Sequence, residues 1–503
     1  MSLVHRVEDL FKDKKYPERW QITTLNTVAT IQNGYAFKSA LFNSAEGFPL
    51  LRIRDILESK IETYYSGDFS KEYIVNFDDL IIGMDGDFNH TLWRNKPTLL
   101  NQRVCRIKPN ENFILKKFIF YGIGGFLKII NENTSSTTVK HLSSKSVNEI
   151  PFPLPPLPEQ ERIVAKLDAL FAQHEAMKKA LERIPQLLKD FRQQVLEQAV
   201  TGILTESWRI NKNLENISEF SKFYSNKRKE DFTKLSEEAK KKKLSKPRIY
   251  ANLENIKILE HERINTKKAN NWIIKPISWI SSSEESSIVD GPFGSSINVE
   301  KDYVEIGVPV IRMINIRPFK FISENLKFLK EEKFNILKRH NILENDVLLA
   351  KVGATIGDCC LYPKGSKEAI LSTTGSCRIR VDNNVMLNKF LVIYLTKNKN
   401  ILKSIASETA QPFLNMKTIK AFPIVIPALE EQKEIVSRVE SLFDKSDTIE
   451  QRYKILKEKI DNLPQAILHK AFKGELVPQL PTDGDAKDLL EEILKLKKEV
   501  NKK

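Results

Sequence analysis

The stretch Pro151-Phe-Pro-Leu-Pro-Pro-Leu-Pro-Glu-Gln-Glu-Arg-Ile-Val164 returns as Pro423-Ile-Val-Ile-Pro-Ala-Leu-Glu-Glu-Gln-Lys-Glu-Ile-Val436. A shift of 272 residues aligns Pro151 to Leu204 with Pro423 to Leu476 without a gap, and 14 of those 54 positions are identical. An internal repeat of this length signals two structurally equivalent units. Weaker echoes lie upstream, where Gly47-Phe-Pro-Leu-Leu-Arg-Ile-Arg-Asp-Ile56 mirrors Gly307-Val-Pro-Val-Ile-Arg-Met-Ile-Asn-Ile316 and Val104-Cys-Arg-Ile107 mirrors Ser376-Cys-Arg-Ile379. Each unit therefore reads as a head followed by a tail.

The tails read as long helices. In the first, Ile163, Leu167, Leu170, His174, Met177, Leu181, Ile184, Leu188, Phe191 and Val195 recur at spacings of four and three, the seam of a coiled coil. In the second, the same slots hold Ile435, Val439, Leu442, Ser446, Ile449, Tyr453, Leu456, Ile460, Leu463 and Ile467. His174 and Ser446 share one slot, either as a register-fixing polar layer or as two exposed positions. Prolines before each helix keep the chain extended, Glu159, Glu161, Glu430 and Glu431 suit the positive end of the dipole, and Gly202 and Gly474 suit a left-handed close. Pro185 should bend or interrupt the first helix. From Ile163 to Val195 such a helix would run about 50 Å at roughly 1.5 Å per residue.

The heads show short strand-like runs, among them Leu50 to Ile56, Leu80 to Ile82, Arg103 to Ile107, Val308 to Ile314, Val347 to Ala350 and Cys377 to Val381. In the last, alternation puts Cys377, Ile379 and Val381 on one face and Arg378 and Arg380 on the other, which suits a solvated face and a phosphate-contacting face equally. Two apolar runs enter glycine loops, Gly83-Met-Asp-Gly-Asp-Phe-Asn89 and Lys351-Val-Gly-Ala-Thr-Ile-Gly357. A loop entered from a buried strand can present polar side chains, or can simply turn the chain.

Composition narrows the function. The 503 residues carry 80 Lys plus Arg against 65 Asp plus Glu, a net +15 that favours a polyanionic partner, nucleic acid before membrane. No run of about 18 uncharged apolar residues occurs, and the charged amino terminus is unlike a signal peptide, so a cytoplasmic protein without membrane contact is expected. Cys105, Cys359, Cys360 and Cys377 are too few for a disulfide scaffold and lack zinc-ligand spacing. A Lys/Glu/Asn/Ser-rich segment reads as a solvated helical linker, and the final Leu/Ile-spaced charged stretch as a short amphipathic helix that docks or frays.

No catalytic constellation is present. There is no GxxxxGK[ST] loop, no GxGxxG, no Asn-Pro-Pro-aromatic motif, no triad, and the crowded Asp55, Glu58 and Lys60 lack a second carboxylate for a nuclease cation site. We expect neither catalytic, cofactor-binding nor metal-binding residues in this chain.

Taken in order, Leu-Pro-Glu-Gln160-Glu-Arg-Ile-Val with Leu170-Phe171, Gly202-Ile-Leu-Thr-Glu-Ser-Trp-Arg209, the Gly83–Asn89 loop and the Lys351–Gly357 loop resemble the specificity subunit of type I restriction-modification enzymes across the whole chain. The resemblance implies two tandem target-recognition heads of mixed α/β (α+β) fold, each followed by a long helix. The two helices would pack as an antiparallel coiled-coil spacer with pseudo-twofold symmetry. The expected divisions are target-recognition domain 1 at 1–150, proline lead and spacer helix 1 at 151–204, linker at 205–271, domain 2 at 272–422, lead and helix 2 at 423–476, and tail at 477–503. Each head would read half of a bipartite site on double-stranded DNA. Two methyltransferase subunits and a motor-nuclease subunit would be the partners, and S-adenosylmethionine, ATP and Mg would belong to them.

Candidate DNA contacts are Arg52, Arg54, Asn89, His90 and Arg94 in the first head and Ser295, Ser296, Arg312, Arg317 and Lys351 in the second. Arginine suits guanine edges and asparagine suits adenine, while most basic residues at such interfaces touch phosphate. Ile163, Leu167, Leu170, Leu181, Leu188, Ile435, Val439, Leu442, Leu456 and Ile460 are the expected spacer-packing residues. Two alternatives are a free-standing two-headed DNA-binding protein and a coiled-coil scaffold for other proteins.

Overall fold

The computed structural model describes residues 16–134, 139–210, 212–243, 258–259, 268–408 and 410–500. The charged amino-terminal stretch and the linker positions 211, 244–257 and 260–267 lie outside the described residues. The chain forms two compact units that divide after Glu182 and after Arg452, so Met1–Glu182 joins Tyr453–Lys503 and Arg183–Arg452 forms the other.

In the first unit a four-stranded sheet has the spatial order Ala29–Asn33, Val104–Pro109, Leu80–Gly83, His90–Leu92. A five-stranded sheet runs Phe42–Asn43, Tyr64–Tyr65, Phe48–Leu51, Thr98–Leu100, Ile74–Val75. Strand alternation assigns the faces. Leu80, Ile82, Cys105 and Ile107 bury against Phe118, Ile119 and Ile123 of the helix Lys116–Asn133. Ile81 and Val104 point the other way, into a second core with Leu51, Val75 and Leu100 of the five-stranded sheet. The second unit repeats the plan: Ile288–Asp290, Ser376–Ile379, Val347–Ala350 and Cys359–Leu361 in one sheet, and Tyr303–Val304, Lys327–Leu329, Val308–Ile311, Ala369–Leu371 and Asn341–Ile342 in the other. A parallel strand pairing is kept as well, Leu50 beside Leu99 and Val310 beside Ile370.

The arginine faces are not solvated. Arg106 and Arg378, equivalent positions 272 apart, are both buried between the sheets. Arg106 donates to the Ile74 and Glu72 carbonyls, Gln32 and Asp79, and Arg378 to the Asn341 and Ser286 carbonyls. Arg380 is engaged by Asp346 at 2.8 Å and by Glu284. Alternation sets which way these side chains face, but a second sheet covers the polar face.

The first long helix runs Leu157–Glu182, stops at Arg183, and resumes as Ile184–Thr201 with Pro185 in its first turn, where a missing N–H costs nothing. The second is continuous over Leu429–Ala471 with Pro464 inside it. Within the first unit, Leu157–Glu182 lies against the closing part of that second helix: Ile163, Leu167 and Ile467 share one core, and His174 Nε2 donates to the Ile460 carbonyl at 2.9 Å. Within the second unit, Arg192 binds Asp447 at 2.6 Å and Glu450 at 2.9 Å, with Leu188, Ile435 and Val439 buried. Leu170 and Leu442 are half-buried, and Leu181 and Ile460 are buried. Leu456 corrects the expectation, because it is 46% exposed. A heptad pattern says which residues share a stripe, and not how far a partner follows it.

Each head is thus completed by the end of the other repeat's helix. Phe472, just past the second helix, packs on Phe118 at 4.9 Å between ring centroids and on Phe152. Gly122 makes room, since a Cβ there would sit 2.4 Å from the Phe472 ring. The linker helix Ile217–Lys241 forms but is not merely solvated: Tyr224 donates to Asp382 at 2.9 Å, Arg228 to the Ser281 carbonyl, and Ser225 accepts the Trp279 indole N–H. The tail helix Ala486–Val500 docks through Ile493, and Lys497 caps the Asn26 carbonyl.

Candidate nucleic-acid interface

The repeated motif works as an internal brace. Gln160 accepts the Leu115 N–H through Oε1 at 2.9 Å and donates through Nε2 to the Phe113 and Pro155 carbonyls. Gln432 does the same with Leu387, Val385 and Pro427. The neighbouring carboxylates also match: Glu159 accepts the Trp20 indole at 3.0 Å and Glu431 the Trp272 indole at 2.8 Å. They therefore serve as buried acceptors, and not simply as dipole partners. Their surroundings differ. Glu431 is also bound by Arg209 and Thr205, whereas burial beside Trp20 pushes the Glu159 carboxyl above its usual range. The motif is legible in the sequence, but this role is not. The identity of Gln160 and Gln432 across the repeat was the available signal.

Beside these braces each head is joined to its helix by a strand pair, Gln21–Thr24 on Pro151–Leu154 and Ile273–Pro276 on Pro423–Ile426. One close approach is conserved between units. A Cβ on Gly34 would lie 2.0 Å from the Asn101 carbonyl oxygen, and one on Gly291 2.0 Å from that of Thr373. Only glycine lets these chains touch.

The candidate contact residues divide. In the first head Arg52 caps a one-turn helix, its N–H donating to Asp55 at 2.9 Å, and the Arg312 N–H donates likewise to Asn315 in the second. Arg54 is exposed and lies 3.7 Å from Asp55 and 3.8 Å from Glu62. Arg94 is exposed, paired to Asp78 at 3.0 Å and stacked on the exposed Phe77 ring. Asn89 is half-buried, and its carbonyl accepts the Gly83 N–H at 2.7 Å. His90 packs against Gly124 and donates to the Phe120 carbonyl at 3.2 Å, and burial lowers its pKa, so it is a neutral wall residue.

In the second head Ser295 is exposed and Ser296 half-buried on a turn led by the exposed Phe293. Arg312 Nη2 donates to the Asn325 carbonyl and Arg317 Nη1 to those of Met313 and Ile316, which leaves both only part of their donors for a ligand. Lys351 corrects the expectation of a surface contact: it is 4% exposed and its ammonium binds Asp290 at 3.2 Å. A buried strand end places it inward, and that ion pair keeps it there.

One group was missed. Arg103, exposed at the start of Val104–Pro109, meets Asp85 of the Gly83–Asn89 loop at 3.4 Å, and Asp85 also accepts from His141 at 2.7 Å. Nothing in the sequence joins three residues so far apart.

All four thiols are buried, and burial pushes each up to about 12. Among the described residues no three His, Cys, Asp or Glu side chains gather as metal ligands, and no helix is long and apolar enough to cross a membrane.

Comparison with known proteins gives this architecture a context. The profile of a family described as the type I restriction modification DNA specificity domain matches residues 17–186 and 305–458. The specificity subunit of the type I restriction enzyme EcoBI from Escherichia coli is 37% identical over 465 residues, covering 92% of this chain and 87% of that protein. The EcoKI specificity subunit of Escherichia coli strain K12 is 26% identical, covering 92% and 91%. Among solved structures, the HsdS subunit from Thermoanaerobacter tengcongensis shares the fold with a TM-score of 0.57 at 16% identity, covering 92% of this chain and 99% of that one.

Proposed function

Because this chain belongs to the family of type I restriction-modification specificity subunits, we propose that it is the DNA sequence-recognition subunit of such a complex, each head reading one half of an asymmetric, split duplex site. The observation that carries the reading is the pairing of identical braces with unlike loop ends. Gln160 and Gln432 make the same three bonds, while Arg103 and Asp85 of the first head have Gly375 and Val352 at the corresponding strand ends of the second. Equivalent scaffolds with different readers suit a target of two unlike halves.

In this reading the heads are the target-recognition domains at about 1–150 and 272–422. The long helices pair antiparallel as a coiled-coil spacer whose length sets the unread gap; support comes from the His174 to Ile460 and Arg192 to Asp447 contacts, each within its own unit. Base contacts come from exposed candidates such as Arg54, Arg94 and Ser295. Two methyltransferase subunits and a motor-nuclease subunit supply adenine methylation and cleavage with S-adenosylmethionine, ATP and Mg, in the cytoplasm. This chain orients and selects, and contributes no reacting group.

The test is methylome sequencing of the host with and without the gene. Loss of one split adenine motif is the expected result, and an unchanged methylome overturns the proposal. A free-standing DNA-binding protein would instead purify without a methyltransferase, and a protein scaffold would bind random duplex with no salt dependence, whereas each phosphate contact contributes about 0.9 to the slope.

A further inference from the structure

Resting on the reading above, we infer that Arg103 is a specificity-determining residue of the first head, directed at a guanine. Three chain segments converge to hold it. The Met84 N–H donates to the Arg103 carbonyl at 2.9 Å, the Leu142 N–H to the Met84 carbonyl at 2.7 Å, and the Gly86 N–H to the Lys140 carbonyl at 3.0 Å. Asp85 and His141 also pair as an antiparallel bridge. The backbone beneath the side chain is therefore fixed at both the strand end and the loop.

The side chain has an ionic neighbour at its inner nitrogen. Asp85 Oδ2 approaches the guanidinium through Nε at 3.4 Å, while Asp85 Oδ1 is taken by His141 Nδ1 at 2.7 Å. The carboxylate is 22% exposed and the arginine 54%, so the acid is the more buried partner and the guanidinium is accessible. Among the described residues no hydrogen bond occupies Nη1 or Nη2 of Arg103. A guanidinium paired at its inner nitrogen leaves its two terminal nitrogens as a parallel pair of donors, the geometry that matches O6 and N7 of guanine in the major groove. An acid beside Nε biases the rotamer and so removes part of the ordering cost of that contact.

Among the described residues, the other exposed arginines of this head lack the arrangement. Arg54 lies between two acids, with Nη2 also reaching Thr63, and Arg94 gives Nη1 to Asp78. Each has lost part of its fork. In the second head Gly375 and Val352 take the places of Arg103 and Asp85, so that head cannot read a guanine in this manner. The guanine contact therefore belongs to one half-site only.

The experiment expresses Arg103→Ala, Arg103→Lys and Asp85→Asn chains with their partner subunits and reads the methylated motif by methylome sequencing. Arg103→Ala should relax one G·C position in a single half-site, lowering its preference roughly ten- to a hundredfold while the other half-site stays strict. Arg103→Lys should fail to restore it, since a lysine is a point charge without the fork, and Asp85→Asn should relax the same position partially. An unchanged motif, with binding to specific and random duplex weakened equally and a salt slope smaller by about one, would make Arg103 a phosphate contact and overturn the inference. A wild-type chain that directs no split motif would instead sink the function proposed above. Relaxation in both half-sites would also overturn the assignment.

Discussion

Gln160 Oε1 lies 2.9 Å from the Leu115 nitrogen, and that bond closes the joint between the first head and its long helix. The same amide also binds two carbonyls, so the side chain satisfies three backbone groups that burial has removed from water. The second unit repeats the joint through Gln432.

Removing it should be expensive. Gln160→Ala leaves a buried N–H and two carbonyls without partners, at about 1–3 kcal/mol per unsatisfied group less whatever water enters. We expect a loss of several kcal/mol in denaturant unfolding of the first unit, and an equal loss in the second from Gln432→Ala. A loss under about 0.5 kcal/mol would refute the bracing role.

The paired carboxylates should respond oppositely. The folded-state pKa of Glu159 is raised by burial, so its stability contribution is complete below the ordinary glutamate pKa of about 4.3 and is lost as pH rises through the raised folded value. Glu159→Gln, which can still accept the Trp20 indole, should therefore match the parent in acid and exceed it at neutral pH. Glu431→Gln surrenders charge-assisted bonds to Arg209 and should lose about 1–3 kcal/mol at neutral pH. Thermal unfolding across pH 4 to 8 separates the two.

Arg378→Ala is a test of structure against recognition. Its guanidinium is buried, and burial lowers its pKa to about 10. Truncation strands the carbonyls of Asn341 and Ser286 and should cost about 3 kcal/mol or more in the second unit. The methylated motif of whatever protein still folds should be unchanged; a changed base preference would place this arginine at the DNA.

Spacer length should be separable from reading. One heptad inserted in each long helix keeps the seam in register and adds about 10.5 Å, on the order of 3 bp. The methylome should show both half-sites intact around a gap longer by about that amount. An altered half-site would contradict the spacer role.

The sequence by itself determined the doubling of the chain, the start and stop of the helices, the interruption before Pro185 and which strand positions alternate, because these follow from local rules of period, capping and proline geometry. It also carried the family, through motifs short enough to be read in line. What only the tertiary structure decided was which partner each of those faces meets. Phe472 completes the head of the first repeat, and Arg106 and Arg378 became interior bonds once a second sheet lay over them. Lys351 turned inward to Asp290, and Arg103 gained its buttress from a loop 18 residues away in sequence. Periodicity records a residue's direction relative to its own backbone. The identity of the surface waiting there depends on contacts between distant segments, which no local pattern encodes.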